Sequence, residues 1–196
     1  TAGTAGTSGR NGIDGSSGAS IANWYGAFTS TTTQVVGGVN TPTAITYTNV
    51  ELSNGTAFSG SQIIVQHEGV YEIGYSLQVE VTSGGSAAPV DIWLKKNGTN
   101  IIRTDSVIVL AANNGTQLPF VSILDTANAN DYYEVYFSST NANTQVTAIV
   151  ANGIHPAAPS IITNIKQIGI AVGTTSGTSG SAGSSGSSGT SGTSGT

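Results

Sequence analysis

The 196-residue chain contains no cysteine and no methionine, and only 8% of its residues are charged. The missing cysteines exclude disulfide staples, thiolate zinc sites and cysteine nucleophiles, so stability must come from packing or from assembly. Basic residues are scarce as well: Arg10, Lys95, Lys96, Arg103 and Lys166 are scattered along a chain of net charge -5. No cationic stripe is available to neutralise phosphates, which argues against a nucleic-acid partner. No apolar run approaches the ~20 residues of a membrane-spanning helix, so membrane insertion is not expected. The opening residues Thr1-Ala2-Gly3 lack the charged and apolar regions of a signal segment, and Thr1 is expected to be a processed end or the start of a portion.

Glycine, by contrast, is abundant and unevenly placed. It occupies every third position through Gly3, Gly6, Gly9, Gly12, Gly15 and Gly18, and the period resumes at Gly177, Gly180, Gly183, Gly186, Gly189, Gly192 and Gly195. A triple helix of polyproline-II strands demands this spacing, because every third residue faces an axis with room only for hydrogen. A flexible Gly/Ser linker would explain the composition but gives no reason for strict phase. The period predicts collagen-like Gly-X-Y arms at residues 1–20 and 173–196. Neither tract contains the proline on which collagen stability leans, so the three strands need a trimeric neighbour to hold them together.

Residues 21–172 are that neighbour, and they read as all-β. Short alternating segments rich in Val, Ile, Thr, Tyr and Phe are separated by Gly, Asn, Pro and Ser clusters, with no helical stripe. Tyr71, Ile73, Tyr75, Leu77, Val79 and Val81 line one face of a strand, with Glu72, Gly74, Ser76, Gln78 and Glu80 on the other. Val90, Ile92 and Leu94 point inward in a second strand, leaving Asp91, Trp93 and Lys95 outward. Asn97-Gly98 then predicts a type I′ hairpin into a strand over Ile101–Leu110. Asn54-Gly55, Asn114-Gly115 and Asn152-Gly153 mark further turns. Other strands are expected over residues 24–28, 33–36, 44–47, 62–66, 117–124, 132–138, 145–150 and 161–168. About ten strands without helices fit a two-sheet jelly-roll sandwich.

The run Gly69-Val70-Tyr71-Glu72-Ile73, followed by Leu94-Lys95-Lys96-Asn97-Gly98, resembles the signature of the complement q-subunit and tumour-necrosis-factor-like jelly-roll superfamily. Leu124-Asp125 through Asp131-Tyr132-Tyr133-Glu134-Val135 is similar to that family's leucine, Gly-Asp and alternating strand, with Asn130 where glycine is usual. Within the superfamily, Trp24-Tyr25-Gly26-Ala27-Phe28 and the Gly-Thr-Ser repeats most resemble a domain of bacteriophage tail fibres and other virion proteins. The resemblance covers residues 24–168. It implies a tight homotrimer of jelly rolls fused to collagen-like stalks, on a virion surface or otherwise extracellular. Heads of this family usually end their stalk, whereas here a second arm follows, which favours a spacer or register clamp.

Catalysis needs convergent titratable groups, and few are present. His67 lies beside Glu68, and His155 precedes Pro156, with no nucleophile at a recognisable spacing and no G-x-S-x-G elbow. No catalytic residue and no metal ligand is assigned, and no cofactor is expected. Asp125 and Asp131 bracket a polar turn that offers oxygens to calcium, although acidic turn residues are ordinarily just solvated. Trp24, Trp93, Tyr132 and Tyr136 are the candidate ligand or interface aromatics, suited equally to stacking on a sugar ring and to subunit packing. The sequons at Asn54, Asn97 and Asn114 are read as turn chemistry. The sequence therefore predicts a non-enzymatic homotrimeric fibre segment, in contact with itself and with other virion or filament proteins. The alternative is a receptor- or glycan-binding head, of a phage fibre or of a bacterial surface filament, that recognises a host surface glycan.

Overall fold

The computed structural model describes residues 23–84, 86–112 and 115–170. Both glycine-periodic tracts, with all thirteen of the glycines assigned to a triple-helix axis, lie outside the described residues, as does Asn114.

The described residues form sixteen strands: β1 (Tyr25–Ser30), β2 (Gln34–Val35), β3 (Thr43–Ala44), β4 (Asn49–Asn54), β5 (Thr56–Ser59), β6 (Gln62–Val65), β7 (Gly69–Leu77) and β8 (Val79–Val81) in the first half, then β9 (Ala88–Lys96), β10 (Thr99–Asn100), β11 (Ser106–Leu110), β12 (Thr116–Gln117), β13 (Phe120–Ala127), β14 (Tyr132–Ser139), β15 (Thr144–Val146) and β16 (Ile161–Gly169). One sheet has the order β13-β7-β16-β1-β4, and a second runs β10-β9-β14-β6-β5, with β11 also on β9 and β3 on β14. A small sheet, β12-β8-β15-β2, extends one end.

Eight principal strands pair in a nested way. The first lies against the last (β1 with β16), β6 against β14, β7 against β13, and β9 against β11, all antiparallel. This is the wrapping of a jelly roll.

Alternation explains the core. Tyr71, Ile73, Tyr75 and Leu77 of β7 and Val90, Ile92 and Leu94 of β9 are all buried. They join Phe28, Ile63, Val65, Val135, Phe137, Ile161 and Ile165 in one cluster. The Gly69-x-Tyr71 motif has a local cause: a Cβ on Gly69 would come 2.9 Å from the Gly169 carbonyl oxygen, while the Tyr71 hydroxyl donates to the His67 carbonyl at 2.8 Å. Asn97 and Gly98 both have positive φ, 50° and 78°, and Thr99 faces Lys96, as a type I′ hairpin requires. Asn130, at the position where glycine was expected, has φ 70°, a region asparagine tolerates.

The expectation of about ten strands is too low. The edge strands β4 and β5 are additional to those expected, and the anticipated strand over Gln117–Leu124 is split at Pro119, which has no N–H for the ladder. Of residues 44–47 only Ala44 belongs to a strand, β3, because the Thr46 N–H is taken by the Gln34 side chain at 2.7 Å. The segment expected to run to Val150 stops at Val146. The largest departure is Ile101–Leu110. The chain leaves the ladder after Asn100 and returns at Ser106. The buried Thr104 hydroxyl takes the place of a strand partner: it accepts from the Leu94 N–H at 3.2 Å and donates to the Ile101 carbonyl at 2.8 Å. Arg103 beside it has φ 64°.

Candidate functional site

The excursion of residues 101–105 leaves the outer face of the second sheet and encloses a groove of about 410 Å³. Its lining is Asp91, Trp93, Asn100, Ile101, Ile102, Arg103, Asp105 and Ser138. Alternation sets the floor, since inward Val90, Ile92 and Leu94 force Asp91 and Trp93 outward, where Ser138 and Tyr136 face them across the β9–β14 ladder. The Trp93 indole N–H donates to the Asn100 side-chain oxygen at 3.0 Å, which fixes the ring against the groove wall. Tyr136 backs Trp93, with ring centroids 5.7 Å apart, and the Lys95 ammonium sits 3.9 Å from the Tyr136 centroid. The Tyr136 hydroxyl is pushed up in pKa by burial, with Glu134 and Tyr132 adding to it. The ion pairs among the described residues involve Lys96 and Lys166 only, leaving Asp91, Arg103 and Asp105 outside any of them.

The four candidate aromatics are thus divided. Trp93 and Tyr136 come together. Tyr132 shares their sheet face but sits by the Asn97 turn, its N–H donating to the Asn97 side chain at 3.0 Å. Trp24 is elsewhere, stacked on His67 at 3.7 Å between centroids and 8° between planes. Gly55 lies under this stack with φ 66°, and a Cβ there would come 2.5 Å from the indole. His155 is exposed in its loop, its Nδ1 2.8 Å from the Pro156 carbonyl. Asp91, Asn100, Arg103, Asp105 and Ser138 are additions to the candidates that the sequence offers. For Arg103 and Asp105 the signal is the Arg103-Thr104-Asp105 triplet, which interrupts the apolar alternation; Asp91, Asn100 and Ser138 carry no local signal.

The turn carboxylates Asp125 and Asp131 flank the Lys96 ammonium, each 3.2 Å from it, so a side-chain cation stands between them. Burial pushes the Asp131 carboxyl up, but the Asn97 side chain, the Asn128 N–H and Lys96 outweigh it and hold the group below the usual carboxylate range. Among the described residues no group of three or more His, Cys, Asp or Glu side chains converges on a metal position. No helix among them is long and apolar enough to cross a membrane.

The outer face of the first sheet differs. Phe120, Leu124, Leu52 and Ile162 project from it at 70%, 62%, 58% and 41% exposure. Between them lie hollows of about 150 Å³ beside Phe120 and Lys166 and about 380 Å³ beside Leu52 and Tyr25. One ion pair crosses this face, Lys166 to Glu72 at 2.9 Å.

No family model and no curated protein matches the chain. Among solved structures, that of murine APRIL aligns with 75% of this chain and 100% of its own, at 11% identity and a TM-score of 0.49. The jelly-roll assignment rests on the nested strand pairing described above.

Proposed function

We propose that the chain is a structural, non-enzymatic segment of a homotrimeric fibre on a virion surface, that of a bacteriophage. Its jelly roll holds three copies in register for the glycine-periodic tracts. The observation that carries this reading is the apolar outer face of β13-β7-β16-β1-β4. Side chains as large as Phe120 and Leu124 standing out together from a sheet, with hollows between them, are the usual mark of a surface covered by another subunit. Around a three-fold axis each subunit presents these projections and hollows to its two neighbours. The number three comes from the glycine period, since a triple-helix axis needs three strands. The resemblance of residues 24–168 to trimeric phage-fibre jelly rolls supports the same assembly and the virion setting.

Mass in solution tests the reading. A particle of three times the 19.6 kDa chain supports it, and one of one or two copies overturns it. For the tracts, Gly183→Val should abolish protease resistance of the C-terminal residues while leaving the jelly roll folded, because only hydrogen fits the axis. A digestion pattern identical to that of the unaltered chain would refute the triple helix.

A further inference from the structure

We propose that the groove on the outer face of the second sheet binds a neutral saccharide, with one pyranose ring laid against Trp93 and its hydroxyls held by Asp91, Asp105 and Arg103. The inference goes beyond the fibre role and does not rest on it. The groove, at about 410 Å³, is within the size range of small-ligand sites. Its lining combines what a sugar requires. An aromatic surface meets the apolar C–H face of the ring, carboxylates accept from hydroxyls, and a guanidinium donates to them.

Two details indicate a built site. The indole is held by its N–H bond to Asn100 and by the Tyr136 ring behind it, so little freedom is lost when a ring stacks on it. Arg103 is carried in the left-handed region beside the buried Thr104, which brings the guanidinium, Asp105 and Ile102 to the same wall. Strain of this kind in a non-glycine residue concentrates at ligand sites.

Other ligand classes fit less well. Two carboxylates in the lining disfavour an anion, and the groove presents one aromatic surface, not the cage that holds a quaternary ammonium. Lys95 occupies the Tyr136 ring, so Trp93 is the platform and Tyr136 its support.

The experiment uses the full chain carrying Trp24→Phe, which leaves Trp93 as the single indole. It is titrated with hexamers of glucose, mannose, galactose and N-acetylglucosamine, and with a sialylated and a sulfated oligosaccharide. The expected result is a saturable change in Trp93 emission with at least one neutral hexamer. Asp105→Asn should weaken that binding roughly tenfold, the effect of removing a charged hydrogen-bond acceptor. Calorimetry on the unaltered chain, on Trp93→Ala and on Asp105→Asn gives the same answer without the Trp24 substitution; Asp105 is an exposed loop residue, and asparagine keeps the shape of its side chain. Silence with every neutral hexamer up to about 10 mM overturns the proposal. So does binding confined to the sialylated or sulfated sugar, or binding that survives Trp93→Ala.

Discussion

The outer faces of the two sheets are built from the same alternating strands, yet they present different chemistry. On the first, Phe120, Leu124, Leu52 and Ile162 stand out around a single Lys166–Glu72 pair. On the second, Trp93 and Tyr136 are flanked by Asp91, Lys95 and Ser138, and the bare aliphatic side chains are Val107 and Val109 on the edge strand β11 and Ile102 in the groove wall. Inward positions in both sheets are constrained alike, because they share one core. Outward positions are free of that demand, and the difference between them is where function is written. An apolar face suits a permanent partner of the same kind. An amphipathic face tolerates water and suits a ligand that comes and goes.

The strongest way to break this comparison is to charge the first face. Phe120→Asp with Leu124→Asp should reduce the solution mass from three copies to one. Each such side chain contributes about 1.5–3 kcal/mol when buried, and every subunit supplies both. Because both are exposed within the subunit, its β-sheet circular dichroism should persist. The matching change on the second face, Trp93→Ala with Lys95→Glu, should leave the mass at three copies; dissociation there would erase the distinction between the faces.

The shared core gives the next measure, best taken in the dissociated Phe120→Asp, Leu124→Asp subunit. The buried Tyr47 hydroxyl lies 2.9 Å from the Thr163 hydroxyl, and burial raises its pKa well above the ordinary tyrosine value. Tyr47→Phe leaves Thr163 unpartnered and should cost about 1–3 kcal/mol. Thermal melting should show it as a fall of several degrees. An unchanged midpoint would mean that the pair is not formed.

A smaller effect is expected from acid. Lys166, and then Ser122, hold the Glu72 carboxyl below its ordinary value. A carboxylate depressed in the folded state contributes fully above its unfolded value, and that contribution is lost as pH falls through the lowered one. Both partners belong to the same subunit, so the stability of the folded subunit should fall over the acidic range below the ordinary glutamate pKa. Glu72→Gln should flatten that part of the profile in thermal melting measured against pH.

Legibility followed burial. Wherever a strand had one face in the core, as in β7 and β9, alternation identified both the strand and its inward residues, and the Asn97-Gly98 hairpin followed from its φ requirements. The edge strand β4 was not legible, because from Val50 to Asn54 it is exposed throughout and buries no alternating set. The groove was half legible. Trp93 and Tyr136 were picked out as aromatics at outward positions, but the wall of residues 101–105 was read as strand. Two isoleucines followed by a polar triplet look like a strand interrupted by one misplaced residue. Nothing local announces that the Thr104 hydroxyl substitutes for a strand partner at the Leu94 N–H, since that bond joins residues brought together only by the hairpin.

The smallest expected effect concerns the one buried side-chain polar atom without a hydrogen-bond partner among the described residues, the Tyr75 hydroxyl. Tyr75 is inward on β7, and burial, with Asp105 adding to it, pushes its pKa above the ordinary tyrosine value. Removing an unpartnered buried hydroxyl takes away a desolvation cost and no hydrogen bond, so Tyr75→Phe should leave stability unchanged or raise it slightly. It therefore opposes Tyr47→Phe, made in the same core and by the loss of the same atom. If both substitutions lowered the melting temperature equally, the hydroxyl of Tyr75 would have a partner after all, and a water bridging it toward Asp105 would be the simplest candidate. If they differ as expected, hydrogen bonding and not ring packing sets the cost at Tyr47, and the core serves as a neutral reference against which changes on either outer face can be read.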